Sequence, residues 1–192
     1  MNDIAWSQGR WTNEPAGVSH EGDGLAVEAK EGSDAWRETS YGFVHDTEHA
    51  LVVAFPKESA MEVDVTARYA EQFDQAGLFL VADEQHWAKC GLELSDGVLQ
   101  LGAVVTWPKS DWSVAPVPDW NSRTVTVRLS RSGDAVTVRA RPEGGQWQFV
   151  RVFPVPPETE LEAGPLICAP TRAGFTARFS NWRIVEADSS LH

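Results

Sequence analysis

The sequence predicts an all-β protein, a jelly-roll sandwich of two antiparallel sheets with a concave face. Two positive observations and one absence predict it. Apolar and polar residues alternate with period two in one segment after another. Those segments recur at spacings of roughly 8–12 residues with turn signals between them. No stretch carries apolar residues at helical spacing between caps.

The first element is MEVDVTARY, with Met61, Val63, Val65, Ala67 and Tyr69 on one side and Glu62, Asp64, Thr66 and Arg68 on the other. Gln75–Ala82, His86–Leu94 and Val98–Thr106 follow, joined by the short turns ADEQ and SDG. The four together are expected to form an antiparallel meander. Arg123–Arg131 and Ala135–Arg141 flank Ser132-Gly133-Asp134, and QWQFVRVF follows the Gly144-Gly145 turn. GPLICAP and FTARFSNWRIV close the chain, with Phe175, Ala177 and Phe179 facing one way. The Pro-rich pieces VAPVPDW and FPVPPETE read as loops crossing between sheets, because cutting the chain there would leave the neighbouring strands with a bare apolar face. Residues 1–192 are therefore expected to form a single domain. Its core is expected to contain Val63, Val65, Leu78, Leu92, Leu101, Val125, Val127, Val138, Phe149, Phe175 and Phe179.

Composition narrows the partners. A net charge of -12 repels polyphosphate, so nucleic acid is not expected. The N-terminus lacks a basic segment followed by an apolar one, and no apolar run is long enough to span a bilayer. A soluble, cytoplasmic chain with no membrane partner is expected. Cys90 and Cys168 each sit in an apolar strand-like run, which predicts buried free thiols. No clustered His/Cys pattern supports a metal, no Gly-rich phosphate loop is present, and no cofactor is expected. Nine tryptophans suit either a well-filled core or a surface that stacks on flat ligands such as sugar rings.

The candidate site is in FDQAGLFLVADEQHWAKCGLEL. Strand alternation puts Trp87, Lys89 and Glu93 on one face and His86, Ala88, Cys90, Leu92 and Leu94 on the other. The second set should face the core. Gln75 and Thr106 are candidate neighbours of the first, with Asp111 and Trp112 in the loop that follows. An apolar platform with fixed donors and acceptors is what sugar recognition requires. The plainer alternative is a Lys89–Glu93 ion pair on a solvated sheet face. Trp6, Trp11, Trp120, Trp147 and Trp182 are assigned to packing, and Trp36 and Tyr41 to either role. Glycoside hydrolysis needs two carboxylates. Glu93 supplies one, but two residues away stand Gly91 and Ser95, so a second must come from elsewhere, Asp111 or Glu62. His20, His45, His49, His86 and His192 are scattered, and no G-x-S-x-G elbow accompanies them.

Six blocks in register carry a family resemblance: DAWRETSYGFVHD, FDQAGLFL, HWAKCGLEL, VVTWPKSDWSVAP, GQWQFVRV, and GPLICAP followed by FTARFSNWRI. In them the chain resembles the family of domains of unknown function DUF1349, regulation-of-enolase-protein-like, within the concanavalin A-like lectin/glucanase superfamily. The resemblance implies a concanavalin A-like jelly roll whose concave face is the surface on which lectins and glucanases bind glycans. It implies no reaction, and the ExDxxE strand motif of the superfamily's glucanases is absent. The leading expectation is non-catalytic binding of a carbohydrate or sugar-like metabolite by Gln75, Trp87, Lys89, Glu93, Thr106, Asp111 and Trp112. A glycoside-active enzyme using Glu93 as acid or base is the alternative, and a regulatory protein-interaction module the third. A protein partner and a homodimer stay open.

Overall fold

The computed structural model describes residues 2–191; His192, counted among the scattered histidines, lies outside them. In chain order the strands are β1 (Asn2–Asp3), β2 (Arg10–Trp11), β3 (Gly17–Glu21), β4 (Gly24–Glu28), β5 (Ala35–Arg37), β6 (Val44–Asp46), β7 (His49–Ala54), β8 (Ser59–Ala67), β9 (Gln75–Asp83) and β10 (His86–Ser95). They continue as β11 (Val98–Thr106), β12 (Ser110–Pro116), β13 (Thr124–Ser132), β14 (Ala135–Pro142), β15 (Gln148–Pro154), β16 (Glu162–Cys168) and β17 (Thr176–Glu186). Among the described residues the only helical pieces are two short 3-10 turns.

One sheet runs β15-β14-β13-β8-β17-β4-β3, with β1 beside β17, and the other β12-β11-β10-β9-β16-β7-β2. Two large antiparallel sheets thus face each other as predicted. Val63 and Val65, Leu78, Leu92, Leu101, Val125 and Val127, Val138, Phe175 and Phe179 fill the space between them. Cys90 and Cys168 are buried and unpaired. The two Pro-rich loops do carry the chain from one sheet to the other, after β12 and after β15. Among the described residues no helix is long and apolar enough to cross a membrane.

Three expectations are corrected. β8 lies between β13 and β17, so the meander is β9-β10-β11-β12 and does not begin at Met61. Alternation specifies which face of a strand is apolar but not which sheet it joins. The connection Arg68–Asp74 changes sheets around the buried Asp74, whose Oδ2 accepts from the N–H groups of Ala70 and Glu71 and pairs with Arg172 at 2.7 Å. Phe149 is 48% exposed. A bulge between Val138 and Arg139 turns it to the outer face, where the Arg139 guanidinium lies 5.5 Å from its ring, and Phe153 fills the core instead. His86 is likewise displaced from the core side by a bulge at His86/Trp87; its Nδ1 is 2.8 Å from Asp83 and its ring 4.7 Å from Trp107.

Candidate functional site

The outer face of the seven-stranded sheet carries Gln75, Gly77, Phe79 and Val81 on β9, then Trp87, Lys89, Gly91 and Glu93 on β10. The register sets these in rows. Gln75, Glu93 and Gln100 form one; Gly77, Gly91 and Gly102 the next; Phe79, Lys89, Val104 and Trp112 the third; Val81, Trp87 and Thr106 the fourth. The glycine row lowers the surface between Lys89 and Glu93. It also lets the backbones meet closely, since a Cβ on Gly77 would stand 2.0 Å from the Cys90 carbonyl oxygen.

The β5–β6 hairpin folds over the fourth row. Ala35 and Trp36 pack on Phe79, Trp87, Val52, Leu166 and Cys168, building a second apolar cluster on the outer face. Positive φ at Glu38, Ser40 and Gly42 forms its tip, and the Trp36 indole N–H is bonded to the Thr39 carbonyl. Two anchors hold it down. Arg37 donates its backbone N–H to Ser110 Oγ, itself 2.8 Å from Thr106 Oγ1. Asp34 Oδ1 accepts from Lys89 Nζ at 2.6 Å, from the Ala35 N–H at 2.8 Å and from Gln75 Nε2 at 3.2 Å.

Beyond the hairpin the same face stays open as a pocket of about 350 Å³. Gln75, Lys89 and Glu93 form its base; Trp36, Tyr41, Phe43, His45 and Trp112 its walls; Phe73, Pro170 and Thr171 its far end. The aromatic walls stand at steep angles. Trp36 is edge-on to Tyr41 at 5.6 Å and to Trp112 at 6.4 Å, and Tyr41 stacks on Phe43 at 5.3 Å.

The base is electrically unusual. Lys89 is paired with Asp34, not with Glu93. Burial pulls the Lys89 ammonium down, but the carboxylates of Asp34 and Glu93 outweigh it and the net direction is upward. The Glu93 carboxylate makes no hydrogen bond or ion pair among the described residues. Burial pushes it up to about 7, with Asp34 adding to the rise and Lys89 opposing it. Glu48, buried nearby and within the field of Lys89, is also pushed up to about 7, chiefly by burial.

Of the seven sequence-predicted residues, the structure brings Gln75, Lys89, Glu93 and Trp112 to this pocket and places three elsewhere. Trp87 is 4% exposed, pressed against Phe79 beneath the hairpin. Thr106 is fully buried as part of the hairpin's anchor. Asp111 lies in strand β12, not in a loop, opposite the core-facing Val105, so alternation turns it away from the pocket; it pairs with Arg151 at 2.8 Å. Glu62, the other proposed second carboxylate, is on the outer face of the opposite sheet, clamped by Arg128 at 2.6 Å and Arg183 at 2.5 Å. The carboxylate that accompanies Glu93 is Asp34. Sequence reasoning missed it together with Phe43, His45 and Phe73; the available signal was the aromatic density of DAWRETSYGFVHD in a segment otherwise rich in polar residues.

Comparison with known proteins places the molecule. A family model described as "Protein of unknown function (DUF1349)" matches residues 11–187. Regulation of enolase protein 1 of Saccharomyces cerevisiae is 36% identical over 178 residues, covering 93% of this chain and 89% of the relative. The crystal structure of a functionally unknown protein from Saccharomyces cerevisiae superposes with a TM-score of 0.90 at 34% identity, over 97% of this chain and all of that one. More distantly, the structure of xylan beta-1,4-xylosidase from Bacillus halodurans C-125 matches with a TM-score of 0.63 at 13% identity, over 93% of this chain but only 39% of the xylosidase. That likeness shows a shared sandwich fold.

Proposed function

The chain belongs to the DUF1349 family, and we propose that it binds a carbohydrate or sugar-like metabolite non-covalently in the pocket above Gln75, Lys89 and Glu93. The observation that carries the reading is the meeting of two unlike surfaces in one cavity of about 350 Å³: aromatic walls from Trp36, Tyr41, Phe43 and Trp112, and a polar base whose Gln75 and Lys89 are held in place by Asp34. Pockets of about 300–1,000 Å³ suit small ligands, and an aromatic face with fixed polar groups suits a ring that is apolar on its C–H faces and hydroxylated at its edge. The distant fold neighbour named for xylan agrees with this class of ligand without specifying it.

A second reading, acid–base catalysis on a glycoside, is favoured by one observation, the Glu93 carboxyl pushed up to about 7 in a pocket that also holds Asp34. Against it, Asp34 is engaged by Lys89, Gln75 and the Ala35 N–H, the role of a structural pin. A third reading, regulation of another protein, draws on the name of the yeast relative and on the exposed Tyr41, Phe43 and Val44 at the hairpin.

Thermal shift against a panel of mono- and disaccharides, with reducing-sugar release measured in parallel, tests these. A ligand that binds only the folded state raises its melting point. Binding without turnover in the parent and in Glu93→Gln supports a binding module. Turnover that disappears only in Glu93→Gln supports the enzyme, and no response to any saccharide overturns both sugar readings.

A further inference from the structure

We propose that the ligand of this pocket presents a positively charged nitrogen to Glu93 and the aromatic walls, so that its class is an amine-bearing polyol or a methylated ammonium, not a neutral sugar. The inference rests on the binding reading above and narrows its ligand.

With Glu93 itself counted, the pocket is lined by two carboxylates, Asp34 and Glu93, against one lysine, Lys89. Lys89, on its own strand, and Asp34, from the segment entering the hairpin, neutralise each other at 2.6 Å. Gln75 on β9 and Gln100 on β11 flank it without charge. Glu48 adds a further acid behind the hairpin, felt by Lys89, and His45 on β6 stands on the wall. Glu93 is thus left, among the described residues, as an acceptor with no donor, partly buried at the base of the pocket. A ligand cation supplies the missing partner, whereas a ligand anion finds Lys89 already engaged and two carboxylates against it.

The walls agree independently. Aromatic faces attract cations through their negative quadrupole. Trp36 meets Trp112 at 87° and Tyr41 at 69°, which surrounds a small group with faces and edges from more than one direction. The chain's net charge of -12 draws a cation toward the molecule from a distance.

Isothermal titration on the full chain at pH 8, where Glu93 is mainly ionised, tests this with two pairs that differ in charge at nearly constant shape: choline against 3,3-dimethylbutan-1-ol, and N-methylglucamine against sorbitol. The charged member of at least one pair should bind at least about tenfold tighter than its neutral counterpart. Glu93→Gln should erase that preference while keeping the parent's circular dichroism, and Trp112→Ala should weaken the charged member alone. Sorbitol and simple saccharides binding as tightly as N-methylglucamine overturns the inference and leaves the sugar reading standing. Choline binding with no response to any polyol or saccharide supports the cation and overturns the sugar. Silence from every compound overturns both.

Discussion

Replacing Asp34 with Ala removes the partner of a lysine whose side chain is only 6% exposed. Deleting one member of a buried ion pair costs about 3–5 kcal/mol, mostly because the surviving charge stays desolvated and alone. Two features bear on where in that range this site falls. Glu93 still faces Lys89 and retains part of its attraction, which favours the lower end. Against that, Asp34 Oδ1 also accepts from the Ala35 N–H and from Gln75 Nε2, and both lose their acceptor. A loss of about 4 kcal/mol is expected. In a chain of 192 residues each kcal/mol moves the melting temperature by roughly 2–4 °C, so Asp34→Ala should melt roughly 8–16 °C below the parent. Lys89→Met should cost less, about 1–2 kcal/mol, because the orphaned Asp34 keeps access to water at 19% exposure. The double variant should then be less damaged than the sum of the two, with a coupling of about 1.5–3 kcal/mol. Calorimetry at pH 8, with urea titrations for the double-mutant cycle, measures all of this. An Asp34→Ala protein that melts within about 2 °C of the parent, or strictly additive losses, would refute the buried pin.

Glu93→Gln should change the pH dependence of stability in one direction. The folded state holds the Glu93 proton from its ordinary value near 4.5 up to about 7, so this group destabilises the fold progressively as pH rises through that window, reaching about 3 kcal/mol at about 1.4 kcal/mol per pH unit. The variant should match the parent below pH 4.5 and exceed it by about 2–3 kcal/mol above pH 7, as read by urea unfolding at a series of pH values; a difference that does not change with pH would show that Glu93 titrates normally. Phe149→Ala should stay within about 0.5 kcal/mol of the parent, whereas Phe179→Ala, at 1% exposed, should cost about 3–5 kcal/mol. Equal losses in chemical denaturation would contradict the β15 bulge. Gly77→Ala, whose Cβ would meet the Cys90 carbonyl at 2.0 Å, should cost about 3 kcal/mol or more. A normal melting point for it would mean that β9 and β10 do not pair as closely as described.

What the sequence made legible follows from what alternation can encode. Period two assigns each residue of a regular strand to a face, which is why Lys89 and Glu93 lie opposite Cys90 and Leu92 as expected. It fails at bulges, where one extra residue reverses the assignment, and both Phe149 and His86 stand beside one. It is also silent on which sheet a strand joins, hence the misplaced MEVDVTARY. Alternation assigns Trp87 to the correct face but not to its buried environment. Nothing in β10 itself announces that Trp36, 51 positions earlier in the chain, will lie over it.

That last failure points to where the specificity of this fold is written. The face offered by β9, β10 and β11 has ample area, but by itself it would leave Phe79, Trp87 and Val104 exposed and Lys89 solvated. The segment Asp34–Asp46 converts it into a site: its apolar residues seal one half, its carboxylate draws Lys89 out of water, and its exposed aromatics wall the other half. The hairpin's two regular strands contain only three residues each. Pieces this short depend for their position on the anchors they make, here Asp34 to Lys89 and Arg37 to Ser110. Stability and recognition therefore share the same atoms. A substitution that frees Lys89 also moves the aromatic walls, so Asp34→Ala should lose ligand even at temperatures where it remains folded, while Trp112→Ala should lose ligand with its melting point almost unchanged. Comparing the two variants with one ligand separates the pin from the wall, because only the pin links binding to the integrity of the sheet beneath it.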